Sequence, residues 1–528
     1  MAQSTQIERD GLFELTDSAR DQLASSKYYN KDLAPTTISQ RTWNTYNISS
    51  LWIGMAICIP SFTMASSLVG LGLSPWMAVL NVTLGNLIIL VPMQLNSHAG
   101  TKYGIPFPVF ARMTFGAIGA HLPAMSRALT ACGWCAIQCW VGGASIVTFI
   151  GAFFPKFKAT GSDGLGTVNL LGATVEISHL IGFFVFLIIV WAIAFRGQSG
   201  IKWMEAIGAP ILIALSIALL IWATMLVAPD GYGIGHILQA KNNEELVAQN
   251  GGYVMLFLGG LTANIAFWAT MALNIPDFSR YAKNQKTQFW GQVTGMPIMM
   301  FFCAFVGAYF AQATALSSTY QTAIFDPTVV MNDLNPVAGV IVAIGVALAT
   351  LTTNIAANVV APANGFSNLL PKKISYKLGV IITCILAILF RPWWIFGEAG
   401  AYIFGWLGTY GTILAPVAAI FIADYYIVRK RKIDVMGLFQ GSESRYWYQG
   451  GFNVRAIVAW IVAIILPLID QFTASDTSAG LFGGWISANS YLFSFFVGLL
   501  AYWLLMMNEK SSRLSFDDHE AMTEKVAK

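Results

Sequence analysis

Residues 48–71 read ISSLWIGMAICIPSFTMASSLVGL, an apolar run with a proline near its middle. A membrane-spanning helix needs roughly 20 apolar residues, so this stretch predicts one span. Pro60 removes a helical hydrogen bond, and its ring clashes with the preceding turn. Inside a bilayer the freed carbonyls must be satisfied by protein or at a cavity. The stretch therefore predicts a broken helix at a place that other residues cover.

A second interrupted span is predicted at 253–275, five spans further along the chain. It contains Gly259 and Gly260 side by side, then Asn264, and it runs into the sequence NIPD at 274–277. Interrupted helices in corresponding positions of two halves are typical of transporters built from inverted repeats, whose site lies near the middle of the membrane. A simple kink in each span is the alternative interpretation.

The composition is that of an integral membrane protein. The 528 residues are 56% hydrophobic and 11% charged, whereas soluble domains average about 25% charged residues. The formal net charge of +4 is small and scattered, so no nucleic-acid partner is expected. The first 46 residues are polar, without the apolar core or cleavage pattern of a signal peptide.

We predict an all-α protein with twelve transmembrane helices. The expected organisation is a cytoplasmic N-terminal segment at 1–46, a transport core of ten helices at 47–426, a basic loop with helices 11 and 12 at 427–507, and a cytoplasmic tail at 508–528. The predicted spans lie at about 48–71, 76–95, 123–153, 178–195, 203–228, 253–275, 288–312, 337–361, 376–390, 395–426, 455–471 and 480–506.

The basic residues predict the orientation of these spans. Cytoplasmic loops collect Lys and Arg. With the N-terminus inside, the inner loops hold 16 of these residues and the outer loops hold four. The pattern predicts a multi-pass protein of the cell (inner) membrane with both termini in the cytoplasm.

Polar side chains inside the spans indicate the solute. Trp134 and Gln138 lie four residues apart in one apolar run, and Asn354 and Asn358 lie four apart in another. Four residues are about one helical turn, so each pair is expected on one face of its helix. Polar groups that remain in a bilayer usually face a cavity or a partner helix. An aromatic plane with several amides predicts a site for a small, neutral, ring-shaped solute.

Charged residues are missing from the middle of spans one, two, three, six, seven and eight. A relay of buried carboxylates is therefore not indicated, and a charged substrate would lack a partner. A hard cation needs only oxygen ligands, which carbonyls at a helix break and the hydroxyls of Thr352 and Thr353 could supply. The alternative for both threonines is a hydrogen bond to their own helix.

Six stretches of the sequence together resemble the nucleobase–cation symporter-1 family. The resemblance runs from about residue 30 to residue 470, in order and at fitting spacings. It implies twelve spans and a five-plus-five inverted repeat of the leucine-transporter type, with helices 1 and 6 broken. The stretches are LWIGMAI at 51–57, GIPFPVFAR at 104–112, WCAIQ at 134–138, NIPDFSRY at 274–281, TNIAAN at 353–358 and DYY at 424–426.

The resemblance also implies residues for the substrate. The solute is expected to stack between Trp134 and Trp268 and to be held by Gln138 and Asn358. Phe267 stands where a hydantoin transporter of the family has glycine, which makes the pocket more aromatic and resembles the uracil and allantoin branches.

A sodium site is implied as well, with carbonyls on the first helix and a carbonyl and two hydroxyls on the eighth. A first-helix glutamine that borders the site in the hydantoin transporter is Cys58 here, so the particular substrate stays open. The implied sodium ligands are Gly54, Ile57, Ala349, Thr352 and Thr353.

Taken together, these features predict a carrier that imports a neutral nucleobase-like heterocycle, such as uracil, allantoin or a hydantoin, by sodium symport and alternating access. The alternatives are a proton-coupled permease for cytosine, purines or a vitamin such as thiamine, and an amino-acid carrier of the same fold. No covalent cofactor is expected. No cluster of nucleophiles, metal ligands or carboxylates indicates an enzyme.

Overall fold

The computed structural model describes residues 4–170, 172–196, 201–396, 401–475, 478–479 and 481–525. Positions 397–400 of the predicted tenth span, residue 480 of the predicted twelfth span and the two chain ends fall outside these residues. The described chain is mostly helical, as predicted. Its α-helices are α1 (Asp17–Ser25), α2 (Thr45–Ala56), α3 (Ile59–Gly70), α4 (Pro75–Tyr103), α5 (Phe107–Phe115), α6 (His121–Gly151), α7 (Pro155–Lys158), α8 (Ile177–Ala194), α9 (Ile201–Val227), α10 (Ile234–Leu238), α11 (Glu244–Gln249), α12 (Tyr253–Phe267), α13 (Ala269–Asn274), α14 (Pro276–Ser279), α15 (Gln285–Leu316), α16 (Pro336–Thr353), α17 (Val360–Leu369), α18 (Tyr376–Leu389), α19 (Pro392–Ile395), α20 (Gly408–Ile422), α21 (Val454–Thr473), α22 (Trp485–Ala488), α23 (Ser490–Met506) and α24 (Phe516–Ala521).

The spanning helices agree with the predicted spans in position. Among the described residues, nine helical segments are long and apolar enough to cross a membrane, and the bent pair of α2 and α3 makes ten. α18 and α23 are also apolar but have only 14 and 17 residues. These twelve helices coincide with the twelve predicted spans, although the count of twelve crossings stays a prediction.

The first span is broken as predicted. α2 ends at Ala56, α3 begins at Ile59, and the two axes differ by 53°. Cys58 between them has an extended backbone, with φ −146° and ψ 162°. Pro60 occupies the second position of α3, where its missing N–H removes no helical hydrogen bond. The proline therefore begins the second half of the span.

The sixth span is interrupted at Trp268, between α12 and α13. The interruption does not lie at the Gly259–Gly260 pair, which the helix passes without a break. Glycine keeps its N–H and can continue a helix, unlike proline. At Gly260 the missing side chain serves packing, because an added Cβ would lie 2.7 Å from the Leu68 side chain of α3.

Three π-helical segments add an extra residue to a helical turn, which the sequence did not predict. Asn354–Val359 lies between α16 and α17, while Ala401–Leu407 and Ala423–Val428 flank α20. Such bulges change the direction of the side chains that they carry, and they are frequent at functional sites.

Short strands lie outside the helical bundle. β1 pairs antiparallel with β2 and parallel with β7, so the two ends of the chain share one sheet. Two further pairs, β3 with β4 and β5 with β6, are antiparallel. The strands are β1 (Gln6–Arg9), β2 (Leu12–Leu15), β3 (Thr167–Leu170), β4 (Ala173–Glu176), β5 (Ala474–Ser475), β6 (Ser478–Ala479) and β7 (Thr523–Lys525).

Packing of the long helices brings the interrupted segments together. α6 packs against α8, α16, α17 and the π-helical segment 354–359, and its contacts include α13. α16 also contacts α2. The break in the first span, the interruption at Trp268 and the π-helical segment therefore lie around the middle of α6.

Candidate functional site

The five side chains predicted to bind a substrate line one small internal cavity. Trp134 and Gln138 come from α6, Phe267 and Trp268 from the end of α12, and Asn358 from the π-helical segment. All five are at most 6% exposed. The cavity has a volume of about 20 Å³, which is room for roughly one water molecule.

Met55, Thr270 and Met271 also line this cavity and escaped the sequence prediction, whereas Cys58 was expected at its border. Met55 and Cys58 lie at the break of the first span, and Thr270 and Met271 follow the interruption at Trp268. Helical periodicity cannot place such residues, because a broken helix no longer turns its side chains by a constant angle. For Met55 the signal in the sequence was its proximity to the expected break at Pro60, whereas Thr270 and Met271 follow an interruption that the sequence did not mark.

Aromatic rings fill most of the space between the two tryptophans. The Phe267 ring centroid lies 5.2 Å from that of Trp134, at 80°, and 5.0 Å from that of Trp268, at 90°. The Trp52 ring centroid lies 5.2 Å from that of Trp268. These edge-to-face contacts are favourable, so Phe267 packs directly against both indoles.

Three polar side-chain atoms of the lining residues have no hydrogen-bond partner among the described residues. They are the Gln138 Oε1 acceptor and the Nε1 donors of Trp134 and Trp268, all of them buried. Leaving a buried donor or acceptor unpaired costs about 1–3 kcal/mol. The residues around the cavity therefore carry one unpaired acceptor and two unpaired indole donors that a solute could satisfy.

The two asparagine side chains contact each other, as their spacing predicted, but only one of them lines the cavity. Asn358 lines the cavity, and its Nδ2 donates to Asn354 Oδ1 at 3.3 Å. Asn354 itself turns to α6, where its Nδ2 donates to the Cys135 carbonyl and the Cys139 Sγ at 3.5 and 3.3 Å. The π-helical turn changes the angle between the two residues. Asn354 therefore orients Asn358 and lies outside the cavity wall.

The predicted cation residues meet at the break of the first span. Thr353 Oγ1 donates to the carbonyls of Gly54 and Met55, at 3.1 and 3.3 Å. The Gly54 carbonyl lacks its usual helical partner, because the Cys58 N–H donates to Ala56 instead. A hydroxyl from α16 thus reaches carbonyls that the helix break has freed.

The remaining predicted cation residues are arranged differently. Thr352 Oγ1 donates to the Ala349 carbonyl of its own helix at 2.9 Å, which is the alternative that the sequence left open. Ile57 lies at the end of α2 and shares the wall of a second cavity with Ala349. Carbonyl and hydroxyl oxygens are the ligands that a hard cation requires, and a sodium site at these residues stays a prediction.

Cys58 connects the two groups of residues. Its Sγ lies 3.3 Å from Ser61 Oγ, and it also interacts with the side chains of Gln138 and Thr353. One residue at the helix break therefore contacts both the amide of the small cavity and the hydroxyl of the predicted cation site.

A buried guanidinium behind the cavity wall was missed by the sequence analysis. Arg127 Nη2 donates to Asn274 Oδ1 and to the Ala357 carbonyl, both at 2.9 Å, and Ala357 lines the cavity. Asp277 is its nearby opposite charge. Arg127 precedes Trp134 by seven residues, two helical turns on the same face, which was the available signal.

Comparison with known proteins identifies the family. Residues 35–498 match the family described as permeases for cytosine/purines, uracil, thiamine and allantoin. The chain belongs to this permease family. It is 39% identical to a purine-uracil permease of Arabidopsis thaliana, over 93% of this chain and 80% of the relative. It is 33% identical to an allantoin permease of Bacillus subtilis, over 92% and 93% of the two chains.

Solved structures show the fold of this permease. A nucleobase-cation-symport-1 family transporter in a closed conformation with bromovinylhydantoin bound is 20% identical, with a TM-score of 0.71 over 91% of this chain and 95% of the other. A sodium-coupled sialic acid symporter has a TM-score of 0.56, with 94% and 97% coverage and 14% identity. The leucine-transporter type of fold is thus confirmed. The chain is a membrane transporter and not an enzyme.

Proposed function

We propose that this permease imports a small neutral heterocycle, such as uracil, allantoin or a hydantoin, together with sodium, by alternating access. One observation carries the proposal: the two tryptophans, the glutamine and the asparagine expected to hold such a ring line one buried cavity. The substrates named for its relatives, purine-uracil, allantoin and hydantoin, belong to the same chemical class.

The polar atoms of the cavity define the edge of the preferred solute. Gln138 Oε1 accepts from an N–H of the solute, and Trp268 Nε1 donates to a carbonyl. Asn358, fixed by Asn354, adds an amide with both functions. Residues lining the cavity carry no charged side chain. A neutral ring with adjacent N–H and C=O groups is complementary to this arrangement.

Sodium coupling is supported by the contact between the two sites. Thr353 joins α16 to the first-span break, and Cys58 interacts with both Thr353 and Gln138. A cation that holds these segments together should raise substrate affinity, and the substrate should raise cation affinity by the same factor. Proton coupling is the second candidate. Uptake driven by a sodium gradient or by a pH gradient distinguishes the two.

The test is a binding and transport assay with purified protein. Uracil, allantoin, hydantoins, cytosine, purines, thiamine and amino acids are compared by thermal shift, each in sodium and in choline buffer. We expect a neutral heterocycle to give the largest shift, and sodium to increase it. N-methylation at the bonding edge should weaken binding by about 1–3 kcal/mol for each group left unpaired. Stronger binding of amino acids would contradict the substrate assignment.

Proteoliposomes separate the two coupling ions. A sodium gradient at constant pH should drive uptake, whereas a pH gradient without sodium should not. The reverse result would make the protein a proton symporter and leave the substrate assignment intact.

The proposed orientation in the cell membrane is tested independently. Thr160 and Lys373 are exposed, and the six native cysteines are buried. With both termini in the cytoplasm, Thr160→Cys should react with an impermeant maleimide on intact cells. Lys373→Cys should react only after the membrane is opened. The opposite pattern would reverse the topology.

A further inference from the structure

A second cavity adjoins the break of the first span and is much larger than the first. It lies between α3, α9, α16 and the loop before α16, and its volume is about 250 Å³. Its walls include Ile59 and Phe62 of α3, Leu219 of α9, and Val342 and Val346 of α16. None of the predicted substrate residues belongs to it.

The walls of this large cavity offer few hydrogen-bond partners to a water molecule. Ser216 carries the only hydroxyl among the described lining residues, and it donates to the Leu212 carbonyl of its own helix at 2.8 Å. A buried water needs two to four polar partners, and an engineered apolar cavity of about 150 Å³ stays dry and takes up an apolar ligand. The larger cavity here is therefore suited to an apolar occupant.

The helices around the mouth of the cavity face the bilayer. Ile217 and Ile221 of α9 are 46% and 56% exposed, and Ile341 and Ile344 of α16 are 57% and 56% exposed. Ala218, in the cavity wall itself, is also exposed. In a transmembrane protein, apolar faces of this kind contact lipid. The medium next to the mouth is therefore hydrocarbon.

The length of the cavity wall is comparable with that of one lipid chain in a single leaflet. Its wall follows α9 from Leu212 to Trp222 and α16 from Ala338 to Ala349, about 15 Å along each axis at 1.5 Å per residue. That length is half of the roughly 30 Å hydrocarbon core. The wall also begins at the loop residues 327–334 and ends near the helix break. It therefore spans the depth of a single leaflet.

We propose that this cavity binds one acyl chain of a phospholipid from the leaflet on the side of the loop before α16. The headgroup remains at that surface, and the chain runs between α9 and α16. Its end lies against Ile57 and Ala349, two of the predicted cation residues. An influence of the lipid on cation binding would rest on the proposed function, whereas the binding of the lipid does not.

The test uses a phosphatidylcholine with a diazirine in the middle of one acyl chain. The full-length protein is reconstituted in nanodiscs with this lipid, irradiated and digested, and adducts are located by mass spectrometry. Adducts are expected on inward-facing residues such as Leu219 and Val346. Val342→Trp fills the cavity and should abolish these adducts. Ile341→Trp, one residue away on the lipid-facing side of α16, is the matched control and should keep them.

Several results would overturn the proposal. Adducts confined to exposed residues such as Ile217 and Ile344, or inner adducts of equal strength in Val342→Trp and the wild type, would exclude a bound chain. Inner adducts from a headgroup-free diazirine alkane but not from the phospholipid would show a pocket for small apolar molecules. If Val342→Trp does not fold, Leu219→Trp fills the same space from α9. The assay needs no transport, so its failure is distinct from a failure of the proposed function.

Discussion

The two cavities of this permease lie on either side of one helix break and differ in both size and polarity. Met55 and Cys58 line the small cavity, and Ile57 and Ile59 line the large one. The backbone between α2 and α3 is extended at Cys58, and extended chains direct neighbouring side chains to opposite sides. A single short break therefore supplies walls to two chemically different spaces.

Volume by itself does not point to the predicted substrate site. The large cavity of about 250 Å³ is almost entirely apolar, and the small one has only about 20 Å³. Ligand sites are usually the largest apolar pockets with a few convergent polar groups. Here only the small cavity has such groups, including Gln138 and Trp268. Unpaired polar atoms distinguish a solute site from a space that lipid can occupy.

The strongest test of this difference is removal of an indole from each cavity. Trp268→Ala or Trp134→Ala should reduce uptake of a labelled heterocycle to background, since loss of a buried aromatic anchor from a binding site costs about 2 kcal/mol or more, roughly thirtyfold in affinity. Trp222→Ala, in the large cavity, should keep substantial uptake. Protein in the membrane is quantified in parallel. Equal losses in all three variants would remove the distinction between the cavities.

The predicted cation site is tested by removing the Thr353 hydroxyl, which contacts the break of the first span. Thr353→Ala should abolish the effect of sodium on substrate affinity, because the hydroxyl that contacts Gly54 is lost. Coupling free energies between two ligands are typically about 1–3 kcal/mol. Binding is measured in sodium and in choline by titration calorimetry. Thr353→Ser keeps the hydroxyl and should retain the effect; an unchanged sodium response in Thr353→Ala would argue against this site.

Size selection in the small cavity is expected to depend on Phe267. Its ring contacts both tryptophans edge-on, so Phe267→Ala should admit larger bicyclic rings. We expect purines to gain about tenfold over uracil in competition assays, roughly 1.4 kcal/mol. Phe62→Ala opens the large cavity instead and should leave this ratio unchanged. If only Phe62→Ala changed the ratio of purine to uracil affinity, the solutes would bind in the large cavity instead.

The smallest expected effect belongs to Asn354, outside the cavity wall. Asn354→Ala removes the hydrogen bond that orients Asn358, and one such bond contributes about 1 kcal/mol. Substrate affinity should fall by roughly fivefold with an unchanged order of preference among substrates. Asn358→Ala, measured by the same titration, should lose more affinity and also alter that order. Equal behaviour of both variants would place Asn354 in direct contact with the solute.

The sequence by itself determined the class of protein and the positions of the spanning helices, and with the family resemblance it named five residues that line the small cavity. Apolar length fixed the spans, because a bilayer admits few alternatives to a helix. The proline at position 60 fixed the break of the first span, since its effect on the backbone is local. Trp134 and Gln138 lie on one face of α6 as helical spacing predicted.

Only the tertiary structure decided how these segments meet. Thr353 contacts Gly54 across 299 positions of sequence, and Arg127 reaches Ala357 across 230. Neither contact follows from local periodicity, because it depends on which helices pack together. The π-helical segment that carries Asn354 and Asn358 and the interruption at Trp268 have no proline or glycine signal. Both segments pack against α6, so their geometry became visible only in the folded chain.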